Sequence, residues 1–181
     1  KRAELIERLP KGTMLAVPLP ENELKGVLGE ELSLAVVNAP SLCVAAGSEE
    51  AVIKLEESLN RRDILSRRIR TSHAFHSKMM EPMKEEFANY LKDISFSPPE
   101  IPYISNVTGT WITDEEATDP FYWAEHTCRT VHFSKGVGLL LEKSETTLLE
   151  VGPGQSLPGF AIQHPNNGKA MNGHVFPSLR N

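Results

Sequence analysis

Between Thr13 and Arg70 the hydrophobic pattern switches repeatedly between strand and helix character, and the order of the switches leaves few folds open. Thr13-Met-Leu-Ala-Val17 is a short apolar run with strand character. Pro20-Glu-Asn-Glu-Leu24 opens a short helix, with proline and acids in the first turn, where the helix dipole favours them. Residues 34–37 and 42–46 read as two strands joined through Asn38-Ala-Pro-Ser41, the spacing and turn chemistry of a hairpin. Ser48 caps a helix with Glu49 and Glu50 in its first turn. Its apolar stripe is Val52, Leu55 and Leu59, at i, i+3 and i+7. Residues 64–70 form a last strand. The order is β-α-β-β-α-β, the split arrangement of ferredoxin-like folds. Many functions use that fold, so the order predicts architecture alone.

The rest of the chain alternates differently. A helix is expected from near Pro82, with Met83, Phe87, Tyr90 and Leu91 as a packing stripe that ends before Pro98-Pro99. A strand is predicted over 102–107, then a turn at Thr108-Gly-Thr110. Asp119 and Pro120 give the N-cap and first residue of another helix. A helix over 133–143 and a strand over 147–151 follow. Gly152-Pro-Gly154 turns into a short helix, and 175–179 is a final strand. Strands alternating with helices predict a parallel α/β sheet. Two or three strands would leave a large apolar face uncovered. We expect that face to be covered by sequence N-terminal to Lys1 or by another chain. The expected organisation is the end of a large-subdomain helix at 1–12, a ferredoxin-like subdomain at 13–71, and an incomplete parallel-sheet subdomain at 72–181.

A net charge of −5 argues against a nucleic-acid surface, which carries a basic footprint. Arg61, Arg62, Arg67, Arg68 and Arg70 read as a solvated rim beside a strand. The strands at 13–17 and 42–46 lack the paired aromatics that stack RNA bases. No apolar run reaches the ~18 residues of a membrane span. The polar N-terminus is not a signal peptide, so a cytoplasmic setting is expected. Cys43 lies in an apolar run and reads as a buried, reduced thiol. Cys128 stands two residues from His126, a spacing that points the two side chains apart on a helix. No cysteine and histidine spacing suggests a metal.

The block Ser72-His-Ala-Phe-His-Ser77 carries the chemistry. It places two imidazoles three residues apart around one aromatic. A histidine base needs a nucleophile to activate. These 181 residues contain no Gly-x-Ser-x-Gly elbow. Ser156 lacks elbow spacing, and Gly152-Pro-Gly154 lacks the Gly-Lys-Ser ending of a phosphate loop. The sequence reads as half of an active site.

Four segments resemble the acyltransferase domains of polyketide synthases and their relatives, the malonyl-CoA:acyl-carrier-protein transacylases. They are Arg2-Ala-Glu-Leu-Ile-Glu-Arg-Leu-Pro10 leading to Gly12-Thr-Met-Leu-Ala-Val17; Val37-Asn-Ala-Pro40 with 44–47; His73-Ala-Phe-His76-Ser-x-x-Met80-x-Pro82; and Tyr122-Trp-x-x-His126 to Phe133 with Glu150-Val-Gly-Pro-Gly154. Their order and spacing agree together over nearly the whole chain. The resemblance implies an α/β-hydrolase-like large subdomain with a ferredoxin-like insert. It implies that His76 is the general base for a serine nucleophile. His126 falls where the family uses a backbone carbonyl to hold that imidazole. Arg2 matches the arginine that forks onto the malonyl carboxylate. Phe75 matches a position that separates malonyl- from methylmalonyl-selective members. From the residues themselves, His73 reads first as structural, with lining of the substrate pocket as the other reading, and Asn38 reads first as a turn residue, with a substrate contact as the other. The implied substrates are an acyl-CoA donor, malonyl-CoA, and the phosphopantetheine arm of an acyl carrier protein. No covalently bound cofactor is implied. Neighbouring synthase domains on the ketosynthase side and the N-terminal part of the same domain are the implied partners. The serine and the glutamine-containing oxyanion segment would precede Lys1, so the fragment alone is expected to be inactive. A non-catalytic remnant that docks a partner is the alternative.

Overall fold

The computed structural model describes residues 1–142, 146–165 and 175–179. After helix α1 (Arg2–Glu7) the chain builds β1 (Thr13–Val17), α2 (Glu21–Lys25), β2 (Leu32–Ala39), β3 (Leu42–Gly47), α3 (Glu49–Asn60) and β4 (Arg67–Ile69). The four strands form one antiparallel sheet in the order β2-β3-β1-β4. That is the ferredoxin-like order expected from the sequence.

The two faces of the sheet have different covers. Leu15, Val17, Leu34, Val37, Cys43 and Ala45 point toward α2 and α3, where Leu24, Val52, Leu55 and Leu59 close the core. Met14, Ala16, Val44 and Ala46 alternate to the other face, where Ala74, Phe75 and Met79 lie on them. A bulge between Leu34 and Val36 lets Ala35 and Val36 both join this second cluster. Ser48 caps α3 by accepting a bond from the Ala51 amide at 3.2 Å. Ser48→Ala orphans that amide and should lower stability by about 1 kcal/mol. The denaturation midpoint checks it, and an unchanged midpoint would show that water replaces the cap.

The rim of basic residues is partly paired. Arg68, on β4, binds Glu49 at 2.5 Å and Glu56 at 2.9 Å, both on α3. β2 would leave an open edge, but a short parallel bridge closes part of it. Val37 N–H donates to Val131 O at 2.9 Å, and Val131 N–H donates to Ala35 O at 2.8 Å. Thr130 Oγ1 adds a bond to Leu34 O at 2.7 Å.

The second layer is mainly helical. A 3-10 turn at Lys78–Met80 runs into α4 (Glu81–Leu91), followed by α5 (Asp114–Thr118), α6 (Pro120–His126), α7 (Phe133–Leu140), β5 (Leu148–Glu150), α8 (Ser156–Ile162) and β6 (Val175–Pro177). Leu5 of α1, Met83, Phe87 and Leu91 of α4, and Ala124 of α6 make one apolar cluster. The stripe read from the sequence therefore is core, except Tyr90, which is exposed. β5 and β6 pair in parallel, with Leu149 opposite Phe176. Leu149, Val151, Phe176 and Leu179 are all about half exposed or more. This is the uncovered apolar face expected of so small a sheet.

Two expectations change. The strand predicted over 102–107 is only an isolated bridge between Ile104 and Trp111. Pro102 has no amide to give, and Ser105 closes a tight turn through Gly109 and Thr110 instead. Helix α5 is absent from the sequence reading although Thr113 and Glu116 form a reciprocal capping box. Lys143, the last residue of the helix expected at 133–143, lies outside the described residues. No helix among the described residues is long and apolar enough to cross a membrane.

Candidate active site

The histidine block is a loop tied down at almost every residue. Gly12 N–H donates to Ser72 O at 3.3 Å, and Thr71 Oγ1 donates to His73 O at 3.1 Å. Gly12 must be glycine here. A Cβ would lie 2.8 Å from Ala74 Cβ and 2.9 Å from Gly47 O. Ser77 Oγ donates to Ala74 O at 2.5 Å and accepts from Met79 N–H at 3.2 Å, which starts the 3-10 turn. His76 sits between these fixed points with φ of 56°, in the left-handed region. Histidine visits that region more readily than bulky or branched residues do, but it is still strained there. From that backbone conformation its ring reaches the end of α6.

α6 ends where it meets that ring. Asp119 caps its start by accepting from Phe121 N–H at 2.8 Å, with Pro120 in the first turn. At its other end Ala124 O accepts from Thr127, and Glu125 O accepts from Cys128 and Arg129. His126 O accepts instead from His76 Nδ1 at 3.1 Å. A carbonyl can only accept, so Nδ1 carries the proton and Nε2 keeps a free lone pair. This is the tautomer a base requires. In a Ser-His-Asp arrangement a carboxylate accepts from the same ring nitrogen.

The cleft of about 180 Å³ beside this ring is lined by Arg2, Ile6, Phe75, Met80, His126 and Thr127, with His76 itself. Burial pushes the His76 pKa below the usual histidine value. The backbones of His126 and Arg129 oppose that shift, and the charge of Arg2 adds to it. His126 is also lowered, first by burial, then by the charges of His76 and Arg2. The site therefore favours neutral imidazoles around one guanidinium. No carboxylate among the described residues pairs with Arg2.

The structure thus brings Arg2, Phe75, His76 and His126 to one cleft. It leaves two candidates outside. His73 is fully buried, with Nδ1 bonded to Ser72 Oγ at 2.8 Å, and so does not line the cleft. Asn38 lies further along the same sheet face, in a separate cleft of about 450 Å³ with Val44, Arg67 and Phe160. Ile6, Met80 and Thr127 are additions that the sequence reading misses. Ile6 is findable, because it stands at i+4 from Arg2 on one helix face. The imidazole of His126 is a further surprise: its ring lies 5.9 Å from that of His76, edge to face, and lines the cleft.

Other groups fit chemistry less well. A larger cavity of about 560 Å³ is lined by Glu115, Glu116, Tyr122 and Glu125 among others. Glu116 is committed to the Thr113 capping box and Glu125 to ion pairs, so neither carboxylate is free for chemistry in that cavity. Cys43 and Cys128 are free and buried. Burial pushes the Cys43 thiol up to about 11 and raises Cys128 too, which suppresses the thiolate a nucleophile needs. Among the described residues no group of three or more His, Cys, Asp or Glu could hold a metal ion.

Comparison with known proteins gives a consistent picture. A family model described as an acyl transferase domain matches residues 2–167. A phenolphthiocerol/phthiocerol polyketide synthase protein of Mycobacterium tuberculosis is 37% identical over 164 residues, covering 91% of this chain and 11% of that protein. The spectinabilin polyketide synthase system protein NorB of Streptomyces orinoci is 37% identical over 164 residues, covering 88% of this chain and 8% of its own length. Among solved structures, the acyl transferase domain of SpnD, in complex with 2-(pent-4-yn-1-yl)malonyl, superposes with a TM-score of 0.90 at 40% identity. That of ZmaA superposes at 0.86 with 36% identity. Each covers 99% of this chain, and the chain spans 43% and 42% of their lengths. With the family model matching nearly end to end and polyketide synthases as its relatives, the chain belongs to the acyl transferase domain family of those multienzymes.

Proposed function

We propose that this chain supplies the base half of a site that moves malonyl from coenzyme A to the thiol of an acyl carrier protein, through an acyl-serine. The observation that carries the reading is the bond from His76 Nδ1 to His126 O, which leaves Nε2 open beside Arg2. The serine comes from residues outside these 181. Its hydroxyl proton passes to His76 Nε2 as its oxygen attacks the thioester carbon. The C–S bond breaks, and the imidazolium returns the proton to the departing thiol. The phosphopantetheine thiol then reverses these steps. Arg2 forks onto the malonyl carboxylate, Phe75 bounds the acyl group, and Asn38 contacts a more distant part of the donor. His73 supports the loop from behind. The carrier protein and adjoining synthase domains are the partners in this scheme, and the open face at Leu149 and Phe176 is where the rest of the domain packs.

Intact-protein mass spectrometry tests the reading. The full-length protein that carries this chain should gain one malonyl group from malonyl-CoA, and the 181-residue chain alone should gain none. An adduct on the chain alone would place the nucleophile within it. A full-length protein that stays unmodified would favour the docking remnant.

A further inference from the structure

α6 presents the His126 carbonyl from its last turn, and a seven-residue helix does not hold its last turn rigid by backbone bonds alone. In this chain the residue before His126 is clamped from two sides. Glu125 Oε1 accepts from Lys84 Nζ, on α4, at 2.7 Å, and Glu125 Oε2 accepts from Arg129 Nε at 2.6 Å. Lys84 is held in turn by Glu81 at 2.7 Å. The Glu125 backbone carbonyl takes the amides of Cys128 and Arg129, so one residue ties the turn from both its ends. α4 is the helix that continues directly from the histidine loop through Lys78–Met80. The clamp therefore joins the element that carries the base to the element that orients it.

We propose that Lys84 and Glu125 are positioning residues for the histidine base: their ion pair fixes the 125–129 turn against α4 and so holds the His126 carbonyl on His76 Nδ1. The proposal rests on the reading of His76 as the base. Isolated exposed ion pairs contribute little, but this one is a four-charge network with two half-buried members, Lys84 and Glu125, each about 30% exposed. Its stated effect is on geometry more than on stability.

The groups bearing on His76 allow a decisive sign. Arg2 of α1 and the His126 ring face it, and the backbones of His126 and Arg129 favour its imidazolium. Lys84 bonds Glu81 and Glu125, not the ring. If Lys84 acted only by charge, deleting it would raise the His76 pKa. If it holds the carbonyl in place, deleting it loosens the contact that favours the imidazolium, and the pKa falls.

The test uses the full-length protein that carries this chain, malonyl-CoA as donor, and single-turnover acylation followed across pH. Lys84→Met and Lys84→Gln should each lower kcat about threefold to tenfold with KM unchanged, well short of losing the base itself. The acidic limb of the rate profile should move to lower pH, and Lys84→Arg should restore rate and profile. An unchanged kcat, even with a lower Tm, overturns the proposal, as does a limb that moves to higher pH. Failure of the base assignment looks different: His76→Ala would then acylate normally, whatever Lys84 does.

Discussion

Replacing His76 with alanine in the full-length protein should slow self-acylation from malonyl-CoA by roughly a hundredfold or more, the range expected for a positioned general base. The expectation follows from one hydrogen bond and one free lone pair. His126 O fixes the proton on Nδ1, which leaves the Nε2 lone pair on a ring that lines the cleft with Arg2. Alanine removes the acceptor for the hydroxyl proton and leaves the sheet and α6 in place. The pH dependence carries a second mark of the same group. Burial lowers the His76 pKa, so the neutral base persists to lower pH than an ordinary histidine would allow. The wild-type rate should therefore fall only as pH drops through that lowered value. The His76→Ala protein should lose this limb along with the rate. Single-turnover acylation at the wild-type rate would mean that another group takes the proton.

The second large effect concerns the acyl group. Phe75 should make the full-length protein prefer malonyl over methylmalonyl by tens- to hundreds-fold, because rejection of one methyl by shape is worth about 1–3 kcal/mol. The ring lies against Met14, Ala35, Val44 and Ala46 of the sheet, so it has little room to swing away from a branched substrate. Phe75→Ser should open that space and relax the ratio of kcat/KM chiefly by admitting methylmalonyl. A carboxylate contact through Arg2 would be common to both substrates and should not change the ratio. A wild-type ratio near one, or a ratio that Phe75→Ser leaves unmoved, would remove Phe75 from the wall of the acyl pocket.

Much of this is legible in the amino-acid order alone because the deciding signals are local. Ser48 with two following glutamates, and the alternation in Thr13–Val17, fix a helix and a strand from neighbours within a few residues. The failures mark where local signals compete. The run from Pro102 to Val107 has strand composition, yet Pro102 withholds a donor and the Ser105 side chain bonds the amides of Val107 and Thr108, so a turn wins. The Thr113–Glu116 box is as local as the Ser48 cap, and the helix it starts could have been read the same way. At the site, the motif points to His76 and the neighbourhood of His126. It does not reach the walls, because Ile6, Met80 and Thr127 come from three separate segments whose meeting depends on the α1, α4 and α6 cluster. Nor does it show that His73 faces the interior, since exposure of one residue in a loop has no periodic signature.

The bridge between β2 and Val131 has a mechanical consequence. The chain enters the four-stranded sheet after Gly12 and leaves it at Thr71, and those crossings are adjacent, since β1 neighbours β4 and Gly12 bonds Ser72. Two neighbouring crossings define an axis about which a plate can swing. The bonds from Val37 and Ala35 to Val131 sit on the opposite edge of that plate, off the axis, and act as a third mounting point. A body fixed at three non-collinear points does not rotate. The sheet that Phe75 rests on is thus tied at its far edge to the segment that follows the His126 turn, as well as to the histidine loop at its near edge. On the function proposed above, substrate size would then be read by a fixed gauge, not by a jaw that closes on what it holds.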